Sequence, residues 1–297
     1  MKVKQIQAKT LLARVKGTDD WFGLYYNMNL YRGCQHQCIY CDSRSECYQI
    51  EDFNGEVLVK ANAIELLRKE LKGKRVIGTI GTGSMNDPYM PLEAELQLTR
   101  RALEIIAEAG FPVHTITKSD LVRRDLDLFA AIQERTYAAV TFTLTTADDD
   151  LARKLEPGAP APSRRLEALR EFSQAGVLTG VTLMPVLPFI EDHLEDIRRV
   201  VHLAAENGAG YIIPSFGMTL RDRQREYYYR KLDIHFPGLR TRYEQAFGGQ
   251  YFAPAQELPR LEAGLGEFCR QYGIPTRMPV FLPQKRLRTP PDQPQLF

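Results

Sequence analysis

The most informative feature of the chain is a group of three closely spaced cysteines, Cys34, Cys38 and Cys41. Such a group indicates metal or redox chemistry. Three thiolates can hold three irons of a 4Fe–4S cube, and the fourth iron is then open to a substrate or cosubstrate. Two alternatives remain. One is a structural zinc site, for which His36 or Cys47 would supply the missing ligand, and the other is a set of inert buried thiols.

The composition limits the class of protein. The 297 residues are 44% hydrophobic and 26% charged, which is typical of folded proteins and excludes disorder as the main state. With 39 basic and 37 acidic residues the net charge is +2, too small to indicate nucleic-acid or membrane binding from bulk charge. We see no apolar run of about 18 residues and no export signal, so we expect a cytoplasmic protein with neither a membrane span nor disulfides.

Short β-rich runs alternate with amphipathic helical patterns along most of the chain. The predicted strands lie near residues 25–30, 75–80, 112–117, 138–144, 178–183 and 211–214, each followed by a helix. Six such units are too few for a complete eight-unit barrel of roughly 250 residues. We therefore predict an α/β fold, a partial (β/α)6 TIM-like barrel, with a doubly wound parallel sheet as the alternative. Either fold places its site at the carboxyl ends of the strands.

The last 60 or so residues break the alternation. We predict a barrel domain over residues 1–235, including an N-terminal lead-in, and a short, mostly helical extension with a Pro-rich tail over residues 236–297. The cysteine segment follows the first predicted strand, at the edge of the sheet where ligands bind.

The cysteine segment reads Cys-x3-Cys-x2-Cys with Tyr40 directly before the last cysteine, and it resembles the signature of radical S-adenosylmethionine (SAM) enzymes. The resemblance implies a 4Fe–4S cluster on Cys34, Cys38 and Cys41 whose open iron chelates the amino and carboxylate groups of SAM. It further implies that one electron, from a donor such as flavodoxin or ferredoxin, cleaves SAM into methionine and a 5′-deoxyadenosyl radical. That radical abstracts hydrogen from the substrate.

Segments after the later strands resemble the spore photoproduct lyase-like branch of this superfamily. They are Gly-Thr-Gly-Ser-Met-Asn-Asp-Pro-Tyr at 81–89, Thr-Lys-Ser at 117–119, Thr-Leu-Thr-Thr at 143–146 and Glu-Pro-Gly at 156–158, with Arg164. The resemblance implies cosubstrate contacts from Tyr40, from the backbone at Gly81 and Gly83 with positive φ, and from Ser84, Asn86, Lys118 and Thr145. It also places Glu156 and Arg164 in a buried pair at the mouth. Each of these assignments has a structural alternative. The 81–89 segment would form an ordinary turn, Lys118 would be a solvated side chain, Tyr40 would fill the core, and Glu156 and Arg164 would form a simple salt bridge.

The chain departs from this branch at the hydrogen donor. Spore photoproduct lyase carries a cysteine donor in the segment that corresponds to residues 83–87, where Ser84 is the nearest match. A hydroxyl is a poor hydrogen-atom donor because its O–H bond is strong, which argues against thymine-dimer repair by the same route. Asp42 replaces the tyrosine expected after the third cysteine. The candidate catalytic residues are therefore Ser84 and Cys47, although a free thiol is the alternative for Cys47.

Two features suggest a nucleic-acid substrate. Residues 221–231 hold five basic residues, two acidic residues and three tyrosines, which suits phosphate contact and base stacking, although packing is the alternative. Near the end, Gln293, Leu296 and Phe297 resemble the sliding-clamp-binding peptide, while Pro294 departs from it and a chance match is the alternative.

We predict a lyase-like radical SAM enzyme that acts on DNA or a nucleic-acid component, with a role in DNA repair. One alternative is a radical SAM enzyme acting on a peptide or small metabolite. The other is a non-catalytic iron–sulfur or zinc module that docks on the DNA replication machinery.

Overall fold

The computed structural model describes residues 1–17 and 19–286. Within these ranges the chain forms thirteen strands, ten α-helices and three short 3-10 helices. The strands are β1 (Lys2–Ile6), β2 (Leu12–Arg14), β3 (Tyr26–Met28), β4 (Tyr31–Arg32), β5 (Glu56–Lys60), β6 (Val76–Ile77), β7 (Ile80–Thr82), β8 (Val113–Thr117), β9 (Ala138–Thr143), β10 (Leu178–Val186), β11 (Ile212–Thr219), β12 (Phe252–Pro254) and β13 (Gln284–Lys285).

The helices fall between these strands and after the last parallel one. They are α1 (Ala63–Gly73), α2 (Glu93–Leu96), α3 (Leu98–Ala109), α4 (Leu126–Arg135), α5 (Asp149–Leu155), α6 (Pro162–Gln174), α7 (Leu194–Glu206), α8 (Asp222–His235), α9 (Leu239–Phe247) and α10 (Leu258–Tyr272). The 3-10 helices are Asp42–Arg44, Glu46–Tyr48 and Asp120–Asp125.

The main sheet has six parallel strands in the order β3-β7-β8-β9-β10-β11, with β2 and β12 added antiparallel at its two edges. The order follows the chain without the reversal that defines a doubly wound sheet. The predicted partial (β/α)6 barrel is therefore confirmed, and the doubly wound alternative is wrong. All six residues of β9 are buried, as expected for a central strand with side chains packed on both faces.

The first predicted strand is shorter than expected, and the second is divided in two. The 25–30 run forms only β3 in the main sheet, and β4 begins beyond that run, at Tyr31, and belongs to a small sheet of order β1-β5-β4. The 75–80 run forms β6, which pairs with β13, and β7, which enters the main sheet. Between β6 and β7 the Thr79 carbonyl accepts from Tyr25 N at 2.9 Å and from Tyr26 N at 3.0 Å. The break in the second predicted strand therefore coincides with a contact to residues that are distant in the sequence.

The predicted helical extension is present and joins the barrel. Strand β12 pairs with β11, and α10 packs against α7 with Leu261 and Leu265 buried. The boundary at residues 235/236 stays a prediction. The residues of the sliding-clamp motif lie outside the described ranges.

Candidate active site

A cavity of about 440 Å³ opens at the carboxyl ends of the parallel strands. Thr117, Thr143 and Met184 border it from three of these strands, and Cys34, Cys38 and Cys41 border it from the loop after β4. The structure therefore brings the three cysteines and the strand ends together, as the sequence predicted. The other lining residues are Phe22, His36, Tyr40, Asp42, Ser43, Gly83, Ser84, Met85, Asn86, Asp87, Ile116, Lys118, Thr182, Pro185, Ser215, Gly217, Met218, Thr219 and Phe252.

The end of α5 and the segment that follows it hold the backbone of the cysteine loop. Ile39 N donates to the Leu155 carbonyl at 2.8 Å, and Gly158 N donates to the His36 carbonyl at 2.9 Å. Gly158 permits this close approach, because a Cβ there would lie 2.2 Å from the Gln35 carbonyl oxygen. These contacts therefore define the backbone path of the cysteine loop.

Cys34 and Cys38 are buried and Cys41 is partly buried, and burial raises the pKa of each of the three thiols, that of Cys34 to about 12. A thiol in such surroundings ionises only when something positive compensates the thiolate, and a metal centre does this. Within residues 1–17 and 19–286, no three His, Cys, Asp or Glu side chains surround one point as a single metal ion would require. The thiols border a common space instead, which fits separate corners of a polynuclear cluster.

His36 is engaged in hydrogen bonding and is poorly placed to complete a zinc site. Its Nδ1 lies 3.0 Å from the Gly158 carbonyl oxygen, and its Nε2 lies 3.1 Å from Asp87 Oδ2. Cys47, the other ligand considered for zinc, is exposed and does not line the cavity. Neither residue of the zinc alternative is therefore placed to act as a fourth ligand.

Asp87 connects the cysteine loop to two strand ends. Its Oδ1 accepts from Tyr89 N at 2.8 Å and Thr117 Oγ1 at 2.7 Å, and its Oδ2 accepts from Lys118 N at 2.6 Å and faces His36. Burial alone would raise the pKa of Asp87, but the His36 ring and the donated hydrogen bonds lower it to about 2. From the sequence alone, no role of its own was predicted for Asp87.

Tyr40 lies in the wall of the cavity, as predicted, and is held at both ends. Its hydroxyl donates to Glu156 Oε1, and its carbonyl accepts from Gln224 Nε2 at 2.8 Å. Glu156 in turn forms an ion pair of 2.5 Å with Arg165. Both charged side chains are 1% exposed.

The prediction that Glu156 pairs with Arg164 is wrong. Arg164 is 63% exposed and pairs with Asp120 at 2.5 Å. Both arginines lie in the first turn of α6, where adjacent positions are about 100° apart around the axis, and only Arg165 faces the barrel. The two neighbouring arginines in the sequence gave no basis for choosing between them.

Four of the predicted cosubstrate residues line the cavity together with Tyr40. Gly83 has φ +103°, and a Cβ there would lie 2.0 Å from the Ile116 carbonyl oxygen, so only glycine fits. Asn86 is 6% exposed, and its Oδ1 is buried without a hydrogen-bond donor in the described part of the chain. Ser84 is exposed at the rim, and the partly buried Lys118 Nζ lies 5.8 Å from the centre of the Tyr40 ring.

Three other predicted site residues do not line the cavity. Gly81 lies within β7 against the Leu24 side chain and lacks the expected positive φ. Thr145 lies beside the buried carboxyl of Glu191, whose pKa burial raises to about 8. The Cys47 thiol contacts Ser45 Oγ at 3.3 Å and Arg221 Nη1 at 3.2 Å.

The structure shows the tyrosines of the 221–231 segment in packing contacts. Tyr228 and Tyr229 on α8 are buried, and the Tyr228 hydroxyl donates to Tyr243 Oη at 3.0 Å. The Tyr227 ring lies 3.5 Å from the Arg44 guanidinium carbon. Tyr228 and Tyr229 are therefore not available for base stacking, which confirms the packing alternative for these two rings, while the nucleic-acid interpretation of the segment stays a prediction.

Arg44, between the third cysteine and Cys47, is a further residue of the cysteine loop that was not predicted from the sequence. Its guanidinium is buried, and its Nε lies 3.4 Å from the Cys38 carbonyl oxygen. In the sequence, a buried arginine in a polar loop looks the same as a solvated one, so no local pattern predicted that Arg44 is buried.

Among the described helices, none is long and apolar enough to span a membrane.

Comparisons with known proteins agree with this geometry. The family model of the Radical SAM superfamily matches residues 28–203. An uncharacterized protein of Mycobacterium tuberculosis is 32% identical over 240 residues, which cover 77% of this chain and 69% of that protein. A Pseudomonas phage M6 protein named radical SAM Nalpha-GlyT isomerase is 26% identical over 175 residues, 57% of this chain and 36% of that protein.

Among solved structures, a spore photoproduct lyase mutant with bound AdoMet and dinucleoside spore photoproduct superposes with a TM-score of 0.68 at 16% sequence identity. The match covers 92% of this chain and 80% of the other. At this identity the likeness shows a common fold. The family match, the cysteine loop and the six-stranded partial barrel together show that the chain belongs to the radical SAM superfamily and is a radical SAM enzyme with the fold of spore photoproduct lyase.

Proposed function

We propose that Cys34, Cys38 and Cys41 hold a 4Fe–4S cluster and that SAM binds beside its open iron. The observation that carries this proposal is the position of all three thiols on one cavity at the carboxyl ends of the strands. When bound, a reduced cluster of this kind supplies the electron that cleaves SAM to methionine and a 5′-deoxyadenosyl radical.

The residues around the cysteines suit the two polar ends of the methionyl group. The unpartnered Oδ1 of Asn86 is an acceptor for an amino group, since a buried acceptor without a donor costs free energy until one arrives. Lys118 brings a cation to the same cavity for the carboxylate. Burial alone would lower the pKa of Lys118, but the nearby Cys38 and Glu156 raise it above its ordinary value. The Lys118 side chain therefore stays charged at neutral pH.

The protein's own residues hold these groups in place. Asp87 fixes the backbone of Lys118 and the ring of His36, while Glu156 fixes Tyr40. Gly83 lets the chain pass directly against the end of β8, which keeps residues 83–86 at the cavity wall. Each of these contacts restricts the orientation of a group at the cavity.

For the substrate we propose DNA or a nucleic-acid component that enters as an uncharged base. The cavity contains the apolar side chains of Phe22, Met184, Met218 and Phe252, and Lys118 is the one Lys or Arg among the described residues that line it. Such a wall favours a planar, neutral group over a phosphate. The spore photoproduct lyase with the same fold binds a dinucleoside, which supports this class.

For the reaction we propose lyase-like chemistry with a flavodoxin-like or ferredoxin-like electron donor. For the protein's location we propose the cytoplasm. The hydroxyl of Ser84 remains a candidate group at the rim, where it lies 3.4 Å from Asn27 Nδ2. Cys47 lies outside the cavity, so we do not propose it as the hydrogen donor in this conformation.

Anaerobic purification tests the cluster and the cosubstrate. We expect about four irons and four sulfides per chain, and 5′-deoxyadenosine release that requires dithionite and SAM. Cys38→Ala should lose its iron and should no longer release 5′-deoxyadenosine, whereas the matched control Cys47→Ala should retain the iron. Wild-type protein that binds zinc and no sulfide would refute the proposal, and iron loss in Cys47→Ala would show that the ligands are misassigned.

A second measurement tests the substrate class. We expect oligonucleotides to increase 5′-deoxyadenosine release by the wild-type protein several-fold and to accept or lose hydrogen in deuterium-transfer experiments. Phe252→Ala should reduce this stimulation while leaving the iron content unchanged. Stimulation by peptides and none by oligonucleotides would favour the peptide alternative.

A further inference from the structure

Arg44 is a buried cation fixed against the cysteine loop. Its side chain is 5% exposed, and its guanidinium carbon lies 4.5 Å from the centre of the Phe53 ring and 3.5 Å from that of Tyr227. Its Nη1 donates to Asn54 Oδ1 at 2.7 Å, and its Nη2 donates to Gln37 Oε1 at 3.2 Å. Two aromatic rings and two amides therefore hold the cation in place.

Every hydrogen-bond acceptor of Arg44 is neutral. The two amide oxygens and the Cys38 carbonyl oxygen carry no charge, and no carboxylate of residues 1–17 and 19–286 forms an ion pair with it. Burial lowers the pKa of Arg44, but a guanidinium stays protonated in proteins. Buried charges normally have a counter-charge, as Arg165 has in Glu156.

The Nε of Arg44 lies 3.4 Å from the carbonyl oxygen of Cys38, in the loop that carries the three thiols, and its guanidinium carbon lies 3.5 Å from the centre of the Tyr227 ring. The ionisable groups of this neighbourhood include the Tyr227 hydroxyl and the thiols. Only the thiols become anions when a cluster binds. Each thiolate then brings one negative charge to the site, and reduction of the cluster adds one more. A fixed cation in a poorly solvated place stabilises the more negative state, and net charge is one of the properties that set cluster potentials.

We infer that Arg44 is the counter-charge of the cluster and raises its reduction potential, which makes the electron easier to accept. This inference rests on the proposed function. Arg44 differs from Lys118 in that its donor groups are bound by the scaffold, so its contribution is an electrostatic field rather than a ligand contact.

The sharpest test neutralises the cation without moving it. Asn54→Asp replaces the amide by a carboxylate of the same shape, 2.7 Å from Arg44 Nη1 and exposed at its other side, so the fold and the hydrogen bond are retained. We expect the ratio of reduced to oxidised cluster at a fixed potential to fall about tenfold, a midpoint about 59 mV lower for one electron. Asn54→Ala is the neutral control and should keep the wild-type midpoint.

Substitutions of Arg44 itself provide the second arm. Arg44→Lys keeps the charge and should stay near the wild-type midpoint, whereas Arg44→Met keeps much of the volume and should shift as Asn54→Asp does. A purely structural role would make Lys and Met equally harmful to iron content, with no shift in the Asn54→Asp midpoint, and would overturn the inference. An unchanged midpoint in Asn54→Asp with full iron content would do so by itself.

The wild-type protein separates this inference from the proposed function. If the wild-type protein binds no cluster, the proposed function fails and the inference fails with it. If the wild-type cluster forms and is reduced but the variants share its midpoint, only the role of Arg44 is wrong. Potentials are read from the absorbance and electron paramagnetic resonance of the anaerobic protein, so the result does not depend on turnover.

Discussion

Replacing Arg165 by Met should be among the most destabilising single changes near the cavity. The substitution leaves the Glu156 carboxylate, which is 1% exposed, without its main counter-charge. It also removes donors to the Pro160 carbonyl at 2.8 Å and the Thr143 carbonyl at 2.9 Å. Removing one partner of a buried ion pair costs about 3–5 kcal/mol, and Lys118 compensates Glu156 only in part.

Two control variants separate charge from packing. Arg164→Met, one position earlier and exposed in its pair with Asp120, should cost less than about 1 kcal/mol. The double variant Glu156→Gln/Arg165→Met removes both charges and should recover roughly 1–3 kcal/mol relative to Arg165→Met, because no unpaired charge is left buried.

The pH dependence of the unfolding free energy tests the effect of the Glu156 charge independently. Burial alone would raise the pKa of Glu156, but Arg165 and Lys118 lower it, so in the wild-type protein its contribution is present above the ordinary carboxyl pKa and is lost in acid. Without Arg165, burial raises that pKa, so the variant gains stability as Glu156 takes up a proton. The difference in stability between the two proteins should therefore narrow as the pH falls from 7 to 4.

Denaturant unfolding of the cluster-free proteins measures these free energies without a contribution from cofactor binding. Equal costs for Arg165→Met and Arg164→Met would show that the burial and pairing described for Glu156 do not hold in solution. A cost for Arg165→Met that does not change with pH would locate the effect in packing alone.

Three further predictions concern other parts of the site and the barrel interior. Gly83→Ala should lower the unfolding free energy by about 3 kcal/mol, because Gly83 has a positive φ and the new Cβ would lie 2.0 Å from the Ile116 carbonyl oxygen. The control Gly110→Ala, which also has a positive φ but has open space around the new Cβ, should lower it by about 1 kcal/mol. Lys118→Met should weaken SAM binding to the reconstituted protein roughly tenfold in equilibrium dialysis, and unchanged affinity would remove its assigned contact. Burial lowers the pKa of His114 to about 3, so His114 stays neutral in the folded protein while the unfolded chain takes up a proton below its ordinary histidine pKa. The unfolding free energy should therefore fall by up to about 3 kcal/mol as the pH drops from 7 to 4. His114→Gln should show a correspondingly shallower slope, and an equal slope would contradict the argument.

The sequence alone determined that the strands form a parallel sheet and that the cysteines lie at the carboxyl edge of that sheet, whereas the observed strand order decided between a partial barrel and a doubly wound sheet. Hydrophobic periodicity is a local property, and six alternating units predict a parallel sheet because crossover connections between strands are right-handed and short. The carboxyl ends of parallel strands share one edge, so residues that follow them, such as Gly83 and Lys118, were expected beside Cys34–Cys41. Their spacing along the chain was enough for that conclusion.

Only the tertiary structure decided which side chains meet across long stretches of sequence. Tyr40 and Glu156 are 116 positions apart, and the choice of Arg165 over Arg164 depends on the rotation of one helix turn against the barrel. The burial of Tyr228 and Arg44 likewise depends on how α8 packs on the cysteine loop. Periodicity along one element gives the face that is buried, but it carries no information about the partner that covers it. For that reason the three cysteines could be proposed as ligands from the sequence, whereas the charges that surround them could not be predicted.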